Sequence, residues 1–334
     1  MNRTTIVSIL FISLLITALS FSFYFYHEVQ SYDQKIAEGI ASESSIPKHH
    51  FVLIGEEMNH DYWRLVGEGA KQTEQVYDVF VEYVGPERSN PEEQLKLLDM
   101  AIKSKVDGII VQALNDPFTA MINKAIEADI PVITIDTDSP TSLRNSYIGT
   151  NNYMAGRLAG EALIEDTNGE AAVGIITGSF TNAHHKLRVK GFKDAVEKAE
   201  GISIVAVEES NITRVEAEEK AYRLLTEHDN ITAFFGTSSY DGIGIAAAAN
   251  LLNRQEDLYI MTFDALVENI QLLEAGDIDA IIEQQPFEMG YKSIELIQDI
   301  INGKPIQDSY HTDASIIRTS NLDNWTRERG GNLD

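Results

Sequence analysis

The sequence contains no cysteine. Disulfides, thiolate metal sites and a cysteine nucleophile are thereby excluded. Basic residues are scarce: 26 Lys and Arg stand against 52 Asp and Glu, for a formal net charge of −26. No basic surplus exists to neutralise phosphates, which argues against nucleic acid as a partner. The same charge suits an exposed, soluble domain and says little about fold. Histidines are few, at eight, and none has a partner at metal-ligand spacing. His60 reads as a loop residue, and His184 and His185 read as solvated. No internal repeat of solenoid length is present. The hydrophobic share of 43% is ordinary for a globular protein. A length of 334 residues suffices for two domains of about 150 residues each behind a short tail.

From Thr4 to Tyr26 there is no charged residue, and most positions are apolar. A run of about 20 such residues is long enough to span a bilayer as a helix. Arg3 precedes it, which favours an inside N-terminus with the rest of the chain outside. Phe23, Tyr24, Phe25 and Tyr26 suit the outer interface. The alternative is a cleaved signal peptide with a small-residue site around Ala18 and Ser20, but the apolar run continues past it. Either way the folded part is expected outside the cytoplasm. Residues 1–26 are therefore expected as a signal-anchor and 27–50 as a polar stalk.

From His50 onward, strand-like and helix-like segments alternate. Phe51–Gly55, Asp78–Val84, Gly108–Gln112 and Ile130–Asp136 read as strands, with helices over Asp61–Val76, Pro91–Ser104 and Pro117–Ala128 between them. After Tyr147-Ile148-Gly149 the alternation restarts. Ala171–Gly178, Ile202–Val207, Ile231–Gly236, Leu258–Phe263 and Ala280–Gln284 read as strands. The last long helix, Pro286–Asn302, ends at Gly303 and Pro305. Such alternation predicts an α/β fold of two doubly wound parallel sheets in series.

The run Ile130-Pro131-Val132-Ile133-Thr134-Ile135-Asp136 is the clearest of these strands. It is rich in β-branched residues, as a strand buried on both faces is. Its Asp136 stands at the carboxyl end, where ligands of open parallel sheets bind. The same address recurs. Gly55 is followed by Glu56, Glu57, His60, Tyr62 and Trp63, and other strands end at Gln112, Ser238, Asp264 and Gln284. Amides, acids and a basic group supply oriented donors and acceptors, and Tyr62 and Trp63 supply flat apolar faces. Hydroxyl rims and C–H faces give sugars the same split character. Taken singly, each residue has a plainer reading. The aromatics could be core, the glutamines could satisfy backbone, and the aspartates could cap helices.

The pieces Asp107-Gly108-Ile109-Ile110-Val111-Gln112, Ile130–Asp136, Tyr147-Ile148-Gly149-Thr150-Asn151-Asn152, Arg188-Val189-Lys190-Gly191-Phe192, Thr262-Phe263-Asp264 and Gln284-Gln285-Pro286 occur in this order. In order and spacing the set resembles the ribose/galactose-type periplasmic sugar-binding proteins, over about residues 50–318. That resemblance implies the type I periplasmic-binding-protein fold, two α/β lobes with a hinge of three crossings that close on a ligand. Lobe 1 would hold 51–149 and 285–311, lobe 2 would hold 150–284 and 312–320, and 321–334 would be a tail. It also implies a binding role without catalysis or cofactor. A monosaccharide, pentose or hexose, would be held by Asp136, Asp264 and Gln284, with Gln112 where the family often has Asn. Tyr62 and Trp63 would match the aromatic pair that sandwiches the ring, and Lys186 or Arg188 the basic contact. His60 and Ser238 complete the expected set. Thr137, Ser238-Ser239 and Ile212 depart from the family pattern, which leaves the identity of the sugar open.

The implied partner is a sugar ABC importer or a sensor histidine kinase. Members on Gram-positive surfaces usually carry a lipid-modified Cys, and here a helix would replace it. Gly242-Ile243-Gly244-Ile245-Ala246-Ala247 echoes a dinucleotide-binding turn and keeps an NAD-dependent oxidoreductase as a remote alternative. The competing reading is small residues that let helix and sheet pack closely. A transcription regulator of the lactose-repressor type lacks support, because the N-terminus and the charge are wrong for DNA.

Overall fold

The structure is a computed structural model that describes residues 15–17, 19–30 and 47–328. The chain divides into two compact units, Met1–Lys48 and His49–Asp334. In the first unit, residues 15–17 and 19–30 are helical, and their apolar side chains, Phe21, Phe23 and Tyr24 among them, are exposed. Among the described residues no helix is long and apolar enough to cross a membrane. The expected span Thr4–Tyr26 lies in large part outside the described residues, as does 31–46 of the expected stalk.

The second unit holds two six-stranded sheets. The first is built from β1 (His49–Ile54), β2 (Val79–Val84), β3 (Gly108–Val111), β4 (Val132–Ile135), β5 (Ser146–Thr150) and β11 (Ser309–Thr312). The second is built from β6 (Ala171–Thr177), β7 (Ile202–Glu209), β8 (Ala233–Gly236), β9 (Tyr259–Phe263), β10 (Ala280–Glu283) and β12 (Ser315–Arg318). Their orders match strand for strand: β11-β5-β4-β3-β1-β2 and β12-β10-β9-β8-β6-β7. All pairings are parallel except β10 with β12, which is antiparallel.

Between the strands run α1 (Asp61–Gln72), α2 (Glu74–Tyr77), α3 (Pro91–Ser104), α4 (Pro117–Glu127), α5 (Asn152–Asp166), α6 (Ala183–Val196), α7 (Arg214–Glu227), α8 (Ser239–Leu251), α9 (Val267–Ala275), α10 (Pro286–Ile301) and α11 (Thr319–Glu328). Their starts are set locally. Pro91 occupies the first turn of α3, where its missing N–H costs nothing, and the Asn90 side chain accepts from Glu92 N and Glu93 N.

Helices cover both faces of each sheet, so β3 (GIIV) and β4 (VITI) are buried at every position. Alternate residues of one strand serve opposite faces. Phe51 and Leu53 pack with Trp63, Val66 and Ile297, while Val52 and Ile54 pack with Leu98 and Phe118. In the second lobe Val173 and Phe235 pack with Ala155 and Phe192, while Phe234 and Ile260 pack with Leu224 and Ile245. Fully burying a side chain of this kind contributes roughly 1.5–3 kcal/mol. One helix pair in each lobe crosses at bare backbone. A Cβ at Gly290 of α10 would lie 1.9 Å from Val66 O, and one at Gly156 of α5 would lie 2.1 Å from Arg188 O.

The chain passes between lobes three times: after β5, between β10 and α10, and between β11 and β12. The last two strands are only four residues long, SYHT and SIIR, and the alternation of apolar runs does not mark them. Past residue 320 the expected tail is not a tail over its described part. α11 runs to Glu328, with Leu322 buried in the second lobe's core and Trp325 packed against it.

Candidate functional site

Two aspartates define the site. Asp136 follows β4 and Asp264 follows β9, the corresponding strands of the two sheets. Each N–H still joins its sheet, Asp136 N donating to Ile148 O at 3.0 Å and Asp264 N to Ile282 O at 2.9 Å. Each then adopts a left-handed backbone, φ 62° and 70°. That conformation costs a non-glycine residue about 1–3 kcal/mol and is least unfavourable for Asp and Asn. Both side chains line one cavity between the lobes. A second constraint holds both turns. Asn152 Nδ2 donates to Asp136 O at 3.3 Å, and Asn269 Nδ2 donates to Asp264 O at 3.0 Å.

Around Asp136, Tyr62 Oη donates to Oδ1 at 2.6 Å, and Gln112 Nε2 donates to Oδ2 at 2.8 Å. Thr137 Oγ1 also reaches Oδ2, at 3.1 Å. Gln112 does not itself line the cavity; it ties Asp136 to Glu56, donating to Glu56 Oε2 at 3.3 Å. Glu56 is buried and takes a further bond from Ser89 Oγ at 2.7 Å. Burial pushes its carboxyl up to about 7, with the Asp136 charge adding to the rise and the Ser89 and Gln112 bonds opposing it. His60 caps α1, its Nδ1 accepting from Tyr62 N at 3.1 Å. Burial drives its pKa down to about 4, so the ring is neutral.

The second lobe answers with Arg188 from α6. Its Nε donates to Asn152 Oδ1 at 2.7 Å, and its two terminal nitrogens donate to Thr237 O at 2.8 Å and Gln284 Oε1 at 2.9 Å. The guanidinium lies 3.9 Å from the centroid of the Phe263 ring. Gln284 in turn donates from Nε2 to Asp264 Oδ1 at 2.7 Å. Arg188 is thus oriented on four sides, and among the described residues it is the one Lys or Arg that lines the cavity. Burial raises the Asp264 carboxyl, and Arg188 and Gln284 pull the other way. Ser238 caps α8, accepting from Asp241 N at 3.3 Å. Asp241 is buried behind it, and burial lifts its carboxyl to about 6 against bonds from Ser210, Ser238 and Thr237.

The lobes touch across the cleft. Asn182 Nδ2 donates to Glu56 Oε1 at 3.3 Å, Thr137 Oγ1 and His184 Nδ1 are 2.7 Å apart, and His60 Nε2 and Ser239 Oγ are 3.3 Å apart. The His60 and Tyr240 rings lie 4.5 Å apart, tilted by 48°, and Leu266 of lobe 2 joins the core that holds Tyr62 and Trp63. Between these contacts lies a cavity of about 50 Å³. One water needs roughly 10–15 Å³ by the same kind of measure, so several hydroxyl-sized groups fit. Its walls are four acids, one arginine, three neutral histidines, two serines, the Gln284 amide, Ile212, Tyr62 and Trp63.

Of the residues expected at the site, His60, Tyr62, Trp63, Asp136, Arg188, Ser238, Asp264 and Gln284 line this cavity. Gln112 stands behind it. Lys186 does not reach it: two positions earlier on α6, it is exposed and lines a separate cavity. Tyr62 and Trp63 do not make parallel walls. Neighbours on a helix point about 100° apart, and these rings meet edge to face, at 79° with centroids 5.7 Å apart. His184 and His185, expected in solvent, are buried and line the cavity. α6 turns its first residues into the cleft, His185 Nδ1 bonding Thr237 Oγ1 at 2.8 Å, and burial holds both imidazoles well below their ordinary pKa. Glu56 and Glu57 also line it; their place directly after the first strand was the available signal.

The glycines of the dinucleotide-like turn pack against protein. A Cβ at Gly242 would meet Thr262 Oγ1 at 2.4 Å, and one at Gly244 would meet Glu218 N at 2.5 Å. Among the described residues no cluster of three His, Asp or Glu side chains could hold a metal ion.

Residues 51–305 match the periplasmic binding protein domain, and the chain belongs to that family. A solved glucose-galactose binding protein, GanP from Geobacillus stearothermophilus, is 49% identical, with a TM-score of 0.81 over 82% of this chain and 98% of that one. XylFII in its complex with LytSN is 35% identical, with a TM-score of 0.78 over 82% of this chain and 98% of that one. The ribose import binding protein RbsB of Escherichia coli (strain K12) is 21% identical, covering 83% of this chain and 93% of its own length.

Proposed function

We propose that this chain is an extracytoplasmic carbohydrate-binding protein that closes two lobes on a monosaccharide, a pentose or hexose, and hands it to a membrane partner. The observation that carries the reading is the meeting of Asp136 and Asp264, from corresponding strand ends of two lobes, with Arg188 in one cavity. Carboxylates accept pairs of hydroxyls through charge-assisted bonds. Neutral histidines and amides can donate and accept at once, as a sugar hydroxyl does. The similarity to GanP and RbsB supports the same class of ligand. It also supports a binding role without catalysis. Closure follows from binding only as far as the closed state is bound more tightly.

Calorimetry over a panel of pentoses, hexoses and inositols tests this. At least one sugar binds, and Asp136→Ala abolishes the binding while circular dichroism stays unchanged. Undiminished affinity in that variant rejects the assigned role.

The partner of first choice is a sugar ABC importer. The 35% identity to XylFII, solved in a complex with LytSN, supports a second reading, in which the partner is the outer domain of a sensor histidine kinase. Co-purification from membranes with a permease or with a kinase separates the two. In either reading residues 4–26 anchor the protein in the membrane. Release of the full chain by high-pH carbonate washing excludes that anchor.

A further inference from the structure

Beside the cavity just described lies a second, of about 520 Å³. The two share His184, and the adjacent residues Asp136 and Thr137 line one cavity each. What separates them is the contact between Thr137 Oγ1 and His184 Nδ1, at 2.7 Å. Thr137 comes from lobe 1 and His184 from lobe 2, so the partition is only as fixed as the lobes' closure. Thr137 has one proton for two acceptors, Asp136 Oδ2 and His184. With that proton on Asp136, the bond to His184 is one that a ligand hydroxyl can replace.

The outer cavity has the walls of a small-molecule site. Pro140, Ala183 and Leu187 are apolar, and Asn151, Lys186 and His311 carry polar ends. Its floor is stiff, because Arg144 is clamped between Asp138, at 2.5 and 2.7 Å, and Asp308, at 3.0 Å. Thr150 also lines it, and its Oγ1 is buried without a hydrogen-bond partner, the kind of group that a ligand hydroxyl would satisfy. Ligand pockets occupy about 300–1,000 Å³, a range that the outer cavity reaches.

We propose that the outer cavity is a second sugar subsite, so that the protein takes a disaccharide as well as a monosaccharide. One unit lies on Asp136, Asp264 and Arg188. The glycosidic link passes between Thr137 and His184, and the second unit lies on Leu187, Lys186 and Asn151. Lys186 and Arg188, two positions apart on α6, then serve different units of one ligand. This rests on the carbohydrate-binding reading above and extends it.

The test is calorimetry on the full chain with glucose- and galactose-containing disaccharides, each beside its component monosaccharides. At least one disaccharide binds within tenfold of the best monosaccharide. Leu187→Trp, which alters only the outer cavity, changes disaccharide affinity at least tenfold and leaves monosaccharide affinity within twofold. Lys186→Ala, at an exposed position that spares the fold, lowers disaccharide affinity alone. Monosaccharide binding with every disaccharide rejected overturns the second subsite and leaves the carbohydrate reading standing. So does disaccharide binding that neither variant alters. Rejection of all mono- and disaccharides overturns both.

Discussion

The two lobes are built on one plan and differ in how they hold their acid. In lobe 1 three side chains, Tyr62, Gln112 and Thr137, donate to the Asp136 carboxylate. In lobe 2 the Gln284 side chain and the Ser239 backbone donate to Asp264, and the charge of Arg188 stands nearby. Asp136 is therefore part of its lobe's internal framework. Asp264 is presented with more of its accepting capacity unused, and burial raises its pKa. The same sheet order and the same left-handed turn thus yield a more heavily bonded acid on one side and a less heavily bonded one on the other.

The largest effects should come from removing each charge without changing shape. Asp136→Asn and Asp264→Asn each lower sugar affinity by about 2–5 kcal/mol, as loss of a buried charged partner does. Their stabilities should part. Asp136→Asn turns an amide toward groups that donate, so its melting temperature falls. Asp264→Asn removes a carboxylate whose burial is unfavourable, so its melting temperature holds or rises. Calorimetry and thermal melts of both variants decide it, and equal melting shifts would erase the proposed difference between lobes.

A smaller effect concerns pH. The folded-state pKa of Glu56 is raised from 4.5 to about 7. Between those values the folded protein keeps a proton that the unfolded chain has lost. This group therefore makes stability fall as pH rises through the window, by roughly 3 kcal/mol in all, and its effect is constant above it. Asp241 of lobe 2 acts the same way between 3.8 and about 6. His60 opposes both: its folded-state pKa is lowered to about 4, so its contribution is lost as pH falls from 6.5 toward that value. Glu56→Gln should gain melting temperature relative to wild type progressively from pH 5 to pH 8. A difference that stays flat across that range contradicts the raised pKa.

The smallest effect tests the helix crossings. Gly290→Ala in lobe 1 and Gly156→Ala in lobe 2 each force a Cβ onto a backbone carbonyl, and overpacking of this kind costs about 1–3 kcal/mol. Gly156 faces the carbonyl of Arg188 itself, so its variant should lose sugar affinity beyond its loss of stability. Gly290→Ala, against Val66, should not. Urea melts beside calorimetry separate the two losses.

Much of this architecture was legible in the chain. Buried strands such as Val132–Ile135 announce themselves by β-branched residues, and the acids after β4 and β9 stand at strand ends that meet at one cavity. What was not legible depends on the lobes meeting. His184 and His185 look like solvent histidines until α6 is seen to start inside the cleft. Lys186 and Arg188 are equivalent in sequence and are told apart only by the turn of the helix. The partnership of Thr137 with His184 spans 47 positions. β11 and β12 were missed because four-residue strands such as SYHT and SIIR carry no long apolar run, and α11 because its anchoring residues are just Leu322 and Trp325.

The last crossing has a consequence for biosynthesis. The outermost strand of lobe 1 is Ser309–Thr312 and that of lobe 2 is Ser315–Arg318, so both sheets gain their final strand from the same few residues near the end of the chain. Neither half can finish on the ribosome while the other waits, although domains commonly fold in order of emergence. A polypeptide stopped just short of residue 309 would leave two sheet edges unpaired at once.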